Sequence, residues 1–248
     1  MKKFVFLFLF VTVSLFGTEI TIAVAANVSY AILDLKKEFN KIHPNTEVKV
    51  ILGSSGKLTA QIKNGAPYDV FMSANMKYPK ALFDQKIAIN KPAVYAKGSL
   101  AYFSKNIKNF SKGIALVKDN SIDIIAVANP KTAPYGKATL EAMKKADIYE
   151  RIKSKLVYAE SISQTVSYVM TAADIGFIAK SSLYSDKMRQ YKKGLHWEDV
   201  DTTLYTPINQ GIVILKDAKD RDEVKEFYDF IFSTSAKNIF TSYGYLVK

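Results

Sequence analysis

From residue 19 to 26 the chain alternates apolar and polar positions among β-forming residues, which predicts a strand. From Ser29 onward, Ala31, Ile32, Leu35, Phe39 and Ile42 recur at helical spacing, and His43-Pro44-Asn45 stops that helix. Residues 47–52 predict a second strand, and Gly53-Ser54-Ser55-Gly56 a turn. Residues 58–63 predict a short helix closed by Asn64-Gly65-Ala66-Pro67, and residues 69–73 a third strand. A β-α-β-α-β run with short connections predicts a parallel sheet with helices on its faces. The alternation returns with a strand at 122–128, a loop at 129–135, a helix at 136–145 and a strand at 156–159. A helix follows at 161–172, with Ile162, Val166, Val169 and Ala173 on one face, then a strand at 175–178. A strand at 211–215 and helices at 223–232 and 236–243 end the chain. No repeat of solenoid period is present.

A chain of 248 residues fits one large or two modest domains, and no Pro/Gly/Ser-rich linker divides it. The extended stretches 93–103 and 203–214 are candidate crossovers. If both cross, the first lobe is discontinuous, joining the N-terminal third to the C-terminal helices, and the second lobe is the middle. A ligand then sits in the cleft between them, at the carboxyl ends of the strands.

The first residues read as an address. Met1-Lys2-Lys3 is basic, residues 4–16 are apolar apart from Thr12 and Ser14, and Gly17-Thr18-Glu19 turns small and polar. This is the pattern of a secretory signal cut near Gly17, and the apolar run falls short of the roughly 20 residues needed to span a bilayer. The predicted mature chain is exported. It contains no Cys, which excludes a disulfide scaffold, a zinc-thiolate site, an iron–sulfur cluster, a cysteine nucleophile and a lipid attached at Cys. With only His43 and His196, a three-histidine metal site is excluded too. The net charge is +12, but only Arg151, Arg189 and Arg221 among the 35 basic residues are Arg, and the Lys are spread along the chain. That favours a solvated lysine surface over a nucleic-acid reader, which depends on Arg for bidentate contacts.

Four strand-to-helix junctions carry the candidate chemistry: Ala26-Asn27-Val28-Ser29, Gly53-Ser54-Ser55-Gly56, Ala133-Pro134-Tyr135-Gly136 and Glu160-Ser161-Ile162-Ser163. Each places neutral polar groups where a strand feeds a helix. Helix N-termini present orphan N–H donors and a positive dipole end, and so hold anions without a counter-charge. Any one junction is equally an ordinary N-cap. Four of them on a two-lobed α/β chain point to a cleft with donors from both sides.

These residues bring a family into view. The chain resembles the periplasmic molybdate-binding proteins of ABC transporters, within the bacterial solute-binding proteins. The marks are Ala25-Ala26-Asn27, Gly53-Ser54-Ser55-Gly56, the run from Gln61 through Gly65-Ala66-Pro67-Tyr68-Asp69 to Ala74, and Asn129-Pro130-Lys131-Thr132-Ala133-Pro134-Tyr135-Gly136. Ala173-Asp174-Ile175-Gly176-Phe177 and Tyr243-Gly244-Tyr245 complete the series, which covers nearly the whole chain from Thr18. The resemblance implies an α/β, two-lobed periplasmic-binding-protein fold with two crossovers, lobe 1 being residues 18–97 plus 205–248 and lobe 2 residues 98–204. It implies a monomer that is no enzyme and needs no cofactor. Its expected role is to capture molybdate or tungstate in the periplasm and deliver it to a membrane permease of an ABC transporter. The metal would be held only through its oxygens, by neutral hydrogen bonds. Matched position by position, Asn27 and Ser55 would donate from lobe 1 with side chain and backbone, with Ala26 a secondary candidate beside Asn27, and Tyr135 and Ile162 would donate backbone N–H groups from lobe 2. Some members place a tyrosine hydroxyl where this chain has Ala179. Lys57 and Lys180 are expected to point to solvent.

Other readings attach to the same residues. Another tetrahedral oxyanion, sulfate or phosphate, would suit a similar site. Ser54-Ser55-Gly56-Lys57 is formally S-x-x-K, which would make Ser54 a nucleophile with Lys57 as its base, but the companion motifs are only loosely echoed. Gly53 to Lys57 lacks the spacer and the hydroxyl residue of a P-loop. Asp69, Asp119, Asp123 and Asp174 read as capping or surface residues, and His196-Trp197 as a packed loop. A purely structural exported domain would show no ligand response at all.

Overall fold

The computed structural model describes residues 18–247, so the predicted export signal at residues 1–17 lies outside the described residues. The first strand, β1 (Thr18–Ala25), is buried on both faces, with Ile20, Ile22 and Val24 in one core and Ala23 in another. Helix α1 (Ile32–Ile42) leads to β2 (Thr46–Gly53), and α2 (Ser55–Lys63) leads to β3 (Val70–Ser73). Helix α3 (Lys77–Asp84) and β4 (Ala93–Gly98) follow. The chain then crosses to a second sheet as β5 (Leu100–Phe103) and continues through β6 (Ile125–Ala128), α4 (Pro134–Lys145), α5 (Tyr149–Ile152) and β7 (Leu156–Ala159). After α6 (Ile162–Thr171), β8 (Ile175–Ala179) and β9 (Trp197–Asp199), it returns as β10 (Ile208–Ile214) and ends with α7 (Asp222–Ile231) and α8 (Thr234–Ser242).

Two five-stranded sheets result, in the orders β2-β1-β3-β10-β4 and β7-β6-β8-β5-β9. In each, three parallel strands built by helical crossovers are joined by an antiparallel strand that follows a passage between sheets. Each sheet is covered on both faces, as parallel strands require. On the first, α1, α7 and α8 bury Leu35, Phe39, Phe227, Ile231 and Phe240 on one side, and α2 and α3 bury Leu58, Ile62 and Leu82 on the other. On the second, α4 and α5 cover one face and α6 the other, the latter with Val166 and Val169. These are two α/β lobes joined by two crossovers, the architecture predicted from the alternation.

The differences from the predicted elements lie at their edges. The first helix begins at Ile32, because Ala26–Val28 form a 3-10 turn directly after β1. Gly53 to Gly56 is not a free turn: Ser54 is the N-cap and α2 already runs from Ser55. Tyr135 is likewise inside α4, which starts at Pro134, where a missing N–H is harmless. The strand predicted from Ile122 begins at Ile125, since the Asp174 carboxylate takes the N–H groups of Asp123 and Ile124. The stretch 203–214 divides into a 3-10 turn at Thr202–Leu204 and β10.

Candidate functional site

The carboxyl ends of the parallel strands of the two sheets face each other across the cleft. A small cavity of about 10 Å3 lies between them. Its walls are Ala25 to Asn27 after β1, Ser54 and Ser55 after β2, and Ala74 after β3, with Ala133 to Tyr135 and Ile162 opposite. All five residues singled out in the sequence, Ala26, Asn27, Ser55, Tyr135 and Ile162, line this one space. No charged side chain does. Three helices, α2, α4 and α6, start at its wall, and none carries an acidic residue in its first turn. Their positive dipole ends therefore converge from both lobes without local neutralisation.

Each lining group is held by identifiable bonds. Ser55 is the first residue of α2, and its Oγ accepts the Ala74 N–H at 2.9 Å, which ties α2 to the end of β3. Ser54 is 4% exposed, yet its Oγ has no hydrogen-bond partner. A buried hydroxyl left unpaired is disfavoured, so Ser54 is a candidate donor to a ligand at this wall. The sequence considered Ser54 only as a nucleophile; the signal for this second role was its place as N-cap between β2 and α2. Ile162 opens α6, whose N-cap Ser161 accepts the Gln164 N–H at 3.4 Å while the Gln164 side chain accepts the Glu160 N–H at 2.8 Å.

Asn27 is the most constrained. Its Nδ2 donates to Gln210 Oε1 at 2.8 Å and to the Tyr245 hydroxyl at 2.9 Å. Tyr95 also donates to Gln210 Oε1, at 2.8 Å, and Gln210 Nε2 donates to the Tyr135 hydroxyl at 3.3 Å. Burial pushes the hydroxyls of Tyr95 and Tyr135 well above the ordinary tyrosine range, and that of Tyr245 up to about 12. All three therefore stay neutral near pH 7. Gln210, Tyr245 and Tyr95 were absent from the sequence reading as site residues.

The lobes touch in front of the cavity. Gly56 N–H donates to Thr132 C=O at 2.8 Å, and Lys57 Nζ forms an ion pair with Glu160. This removes the acyl-transfer geometry: Lys57 turns across the cleft to Glu160 and leaves Ser54 Oγ without a base. Lys180 corrects a second expectation, because it is mostly buried and pairs with Asp199 at 2.7 Å. Both Lys57 and Glu160 are more than half exposed, so the pair contributes little. Glu160→Gln should keep the unfolding free energy within about 1 kcal/mol of the parent in urea titration; a larger loss would show that the pair holds the lobes together. Beside the cavity runs an open groove of about 580 Å3, with Lys77, Lys131 and Lys137 on its walls. Asp69 pairs with Arg221 at 2.7 Å and Asp119 with Lys112 at 2.6 Å, both structural roles. Trp197 lies on β9, away from the cavity walls, its indole N–H on Tyr191 C=O.

Comparison with known proteins gives the family. The model of the family described as bacterial extracellular solute-binding protein matches residues 20–246. The chain belongs to this family. Among relatives of this solute-binding protein, the molybdate-binding protein ModA of Azotobacter vinelandii is 35% identical over 233 residues, spanning 92% of this chain and 90% of that one. ModA of Rhodobacter capsulatus is 33% identical over 232 residues, spanning 93% and 89%. The solved structure of the periplasmic molybdate-binding protein of Azotobacter vinelandii superposes with a TM-score of 0.83 at 28% identity, covering 92% of this chain and 99% of that chain. The sulfate-binding protein SubI of Mycobacterium tuberculosis shares the fold, with a TM-score of 0.75 at 14% identity over 92% of this chain and 86% of that one.

Proposed function

We propose that this solute-binding protein captures molybdate in the periplasm and delivers it to the permease of an ABC transporter. The observation that carries the reading is the neutral cavity where three helix N-termini from two lobes meet. A tetrahedral dianion suits such a shell, because hydrogen bonds to a charged group contribute about 1.5–3 kcal/mol each and the donors need no counter-charge. The donors in this reading are the Ser54 and Ser55 hydroxyls, with backbone N–H groups at Asn27, Ser55, Tyr135 and Ile162 and a supporting place for Ala26. Molybdenum is cargo and reaches the protein only through its oxygens. Tungstate, nearly the same size, is expected to bind as well, whereas smaller sulfate and phosphate leave donors unpaired at about 1–3 kcal/mol each. The protein works as a monomeric binder without a cofactor. Its lobes, residues 18–97 with 205–248 and residues 98–204, close on the ligand about the two crossovers.

The test is calorimetric titration of the chain from residue 18 with molybdate, tungstate, sulfate and phosphate. One-to-one binding of the first two and weak binding of the others is expected. Ser55→Ala and Asn27→Ala should each weaken molybdate about tenfold or more without unfolding the protein. Preference for sulfate or phosphate would move the reading to another oxyanion, and silence from all four would overturn it.

A further inference from the structure

Asn27 is gripped at both ends. Besides the two bonds from its side-chain amide, its main-chain carbonyl accepts the Tyr245 hydroxyl at 2.8 Å and Ser181 Oγ at 3.0 Å. Tyr245 OH and Ser181 Oγ are themselves 3.2 Å apart, so two hydroxyl protons are shared among three oxygens. Asn27, Ser181, Gln210 and Tyr245 are all buried. The Tyr245 oxygen thus accepts from one end of Asn27 and donates to the other. Ser181 follows β8 in the second lobe, whereas Asn27 and Tyr245 belong to the first. The carbonyl of a cavity-wall residue is held by one donor from each lobe.

The end of the chain is shaped to bring Tyr245 there. Helix α8 stops at Ser242, and Gly244 takes the left-handed conformation at φ 74°. A Cβ on Gly244 would lie 2.5 Å from the ring of Tyr184, so a side chain is excluded at this turn. The ring of Tyr245 then packs edge-on against Phe240, and Leu246 exchanges two backbone hydrogen bonds with Lys97 beside the first crossover. The terminal Tyr243-Gly244-Tyr245 motif thereby gains a task.

We propose that Tyr245 and Ser181 are positioning residues for the oxyanion site and act through Asn27. Neither lines the cavity. They fix the rotation of Asn27, which lines it, and Ser181 does so from the second lobe. Loss of either bond leaves Asn27 less firmly held around the bound anion, which places the effect in the dissociation rate. The inference rests on the oxyanion reading.

Tyr245→Phe and Ser181→Ala each delete one hydroxyl and keep the packing nearly unchanged. With molybdate as probe, calorimetry should show Kd raised about fivefold to tenfold in each, and stopped-flow should place most of that change in koff. Midpoints of thermal unfolding verify that both variants are folded. In an Asn27→Ala background the Tyr245→Phe effect should shrink, because one of its two bonds to residue 27 is already gone. Affinity within twofold of the parent in both variants would overturn the proposal, as would full additivity of Tyr245→Phe with Asn27→Ala. If the parent binds none of the four anions, the functional reading fails first and the proposal falls with it.

Discussion

Gly136→Ala should damage stability and ligand binding together. Gly136 is the third residue of α4, where the helix leaves the end of β6. A Cβ there would lie 2.0 Å from the Ala128 carbonyl oxygen and 2.7 Å from its carbon. Those atoms are backbone of a central strand and cannot swing aside as a side chain would. The start of α4 must move out, carrying the Tyr135 N–H with it. Overpacking of this kind costs about 3 kcal/mol, and the displaced helix terminus should raise the molybdate Kd at least about tenfold. Urea unfolding and calorimetry read the two effects. Parent-like stability would show that α4 can shift freely and that its N-terminus is not locked onto the cavity.

Ser54→Asp should separate what Gly136→Ala combines. Asp is as good an N-cap as Ser and sits well at the positive end of a helix, which offsets part of the cost of burying a carboxylate where Ser54 is buried. The same carboxylate faces the cavity in place of a hydroxyl. Two unit charges about 4 Å apart repel by roughly 4 kcal/mol at an effective dielectric near 20, and a dianion doubles that. The molybdate affinity should fall by more than about a thousandfold, out of proportion to the loss of stability that the thermal midpoint reads. Ser54→Ala, which only deletes a donor, should lose about tenfold to a hundredfold. Binding within tenfold of the parent in Ser54→Asp would place the ligand elsewhere.

The sequence made the two α/β lobes readable because strands such as β1 and β6 are short apolar runs and helices such as α1 and α6 keep one apolar face. It also led to one cavity from four separate junctions. It gave the donor role to Ser55 and left Ser54 to the rival acyl-transfer reading. Which of two adjacent serines keeps a free hydroxyl depends on where β2 ends and on whether Ala74 N–H reaches back across 19 residues. Helix α3 is absent from the sequence reading, although its Pro79 lies in the first turn, where Pro is tolerated. The bonds from Asn27 to Gln210 and Tyr245 join residues 183 and 218 positions apart, beyond any local pattern. Hydrogen-bond geometry among neutral side chains leaves no periodicity to read.

Strand β10 lies between β3 and β4. A ribosome that has reached Asp199 has already supplied every strand of the second sheet, which runs from Leu100 to Asp199. The first sheet at that moment lacks the strand that joins its halves, and its outer face lacks α7 and α8. The first sheet is completed only through contacts of very long sequence separation, which slow folding. That lobe therefore stays incomplete until β10, α7 and α8 have been made.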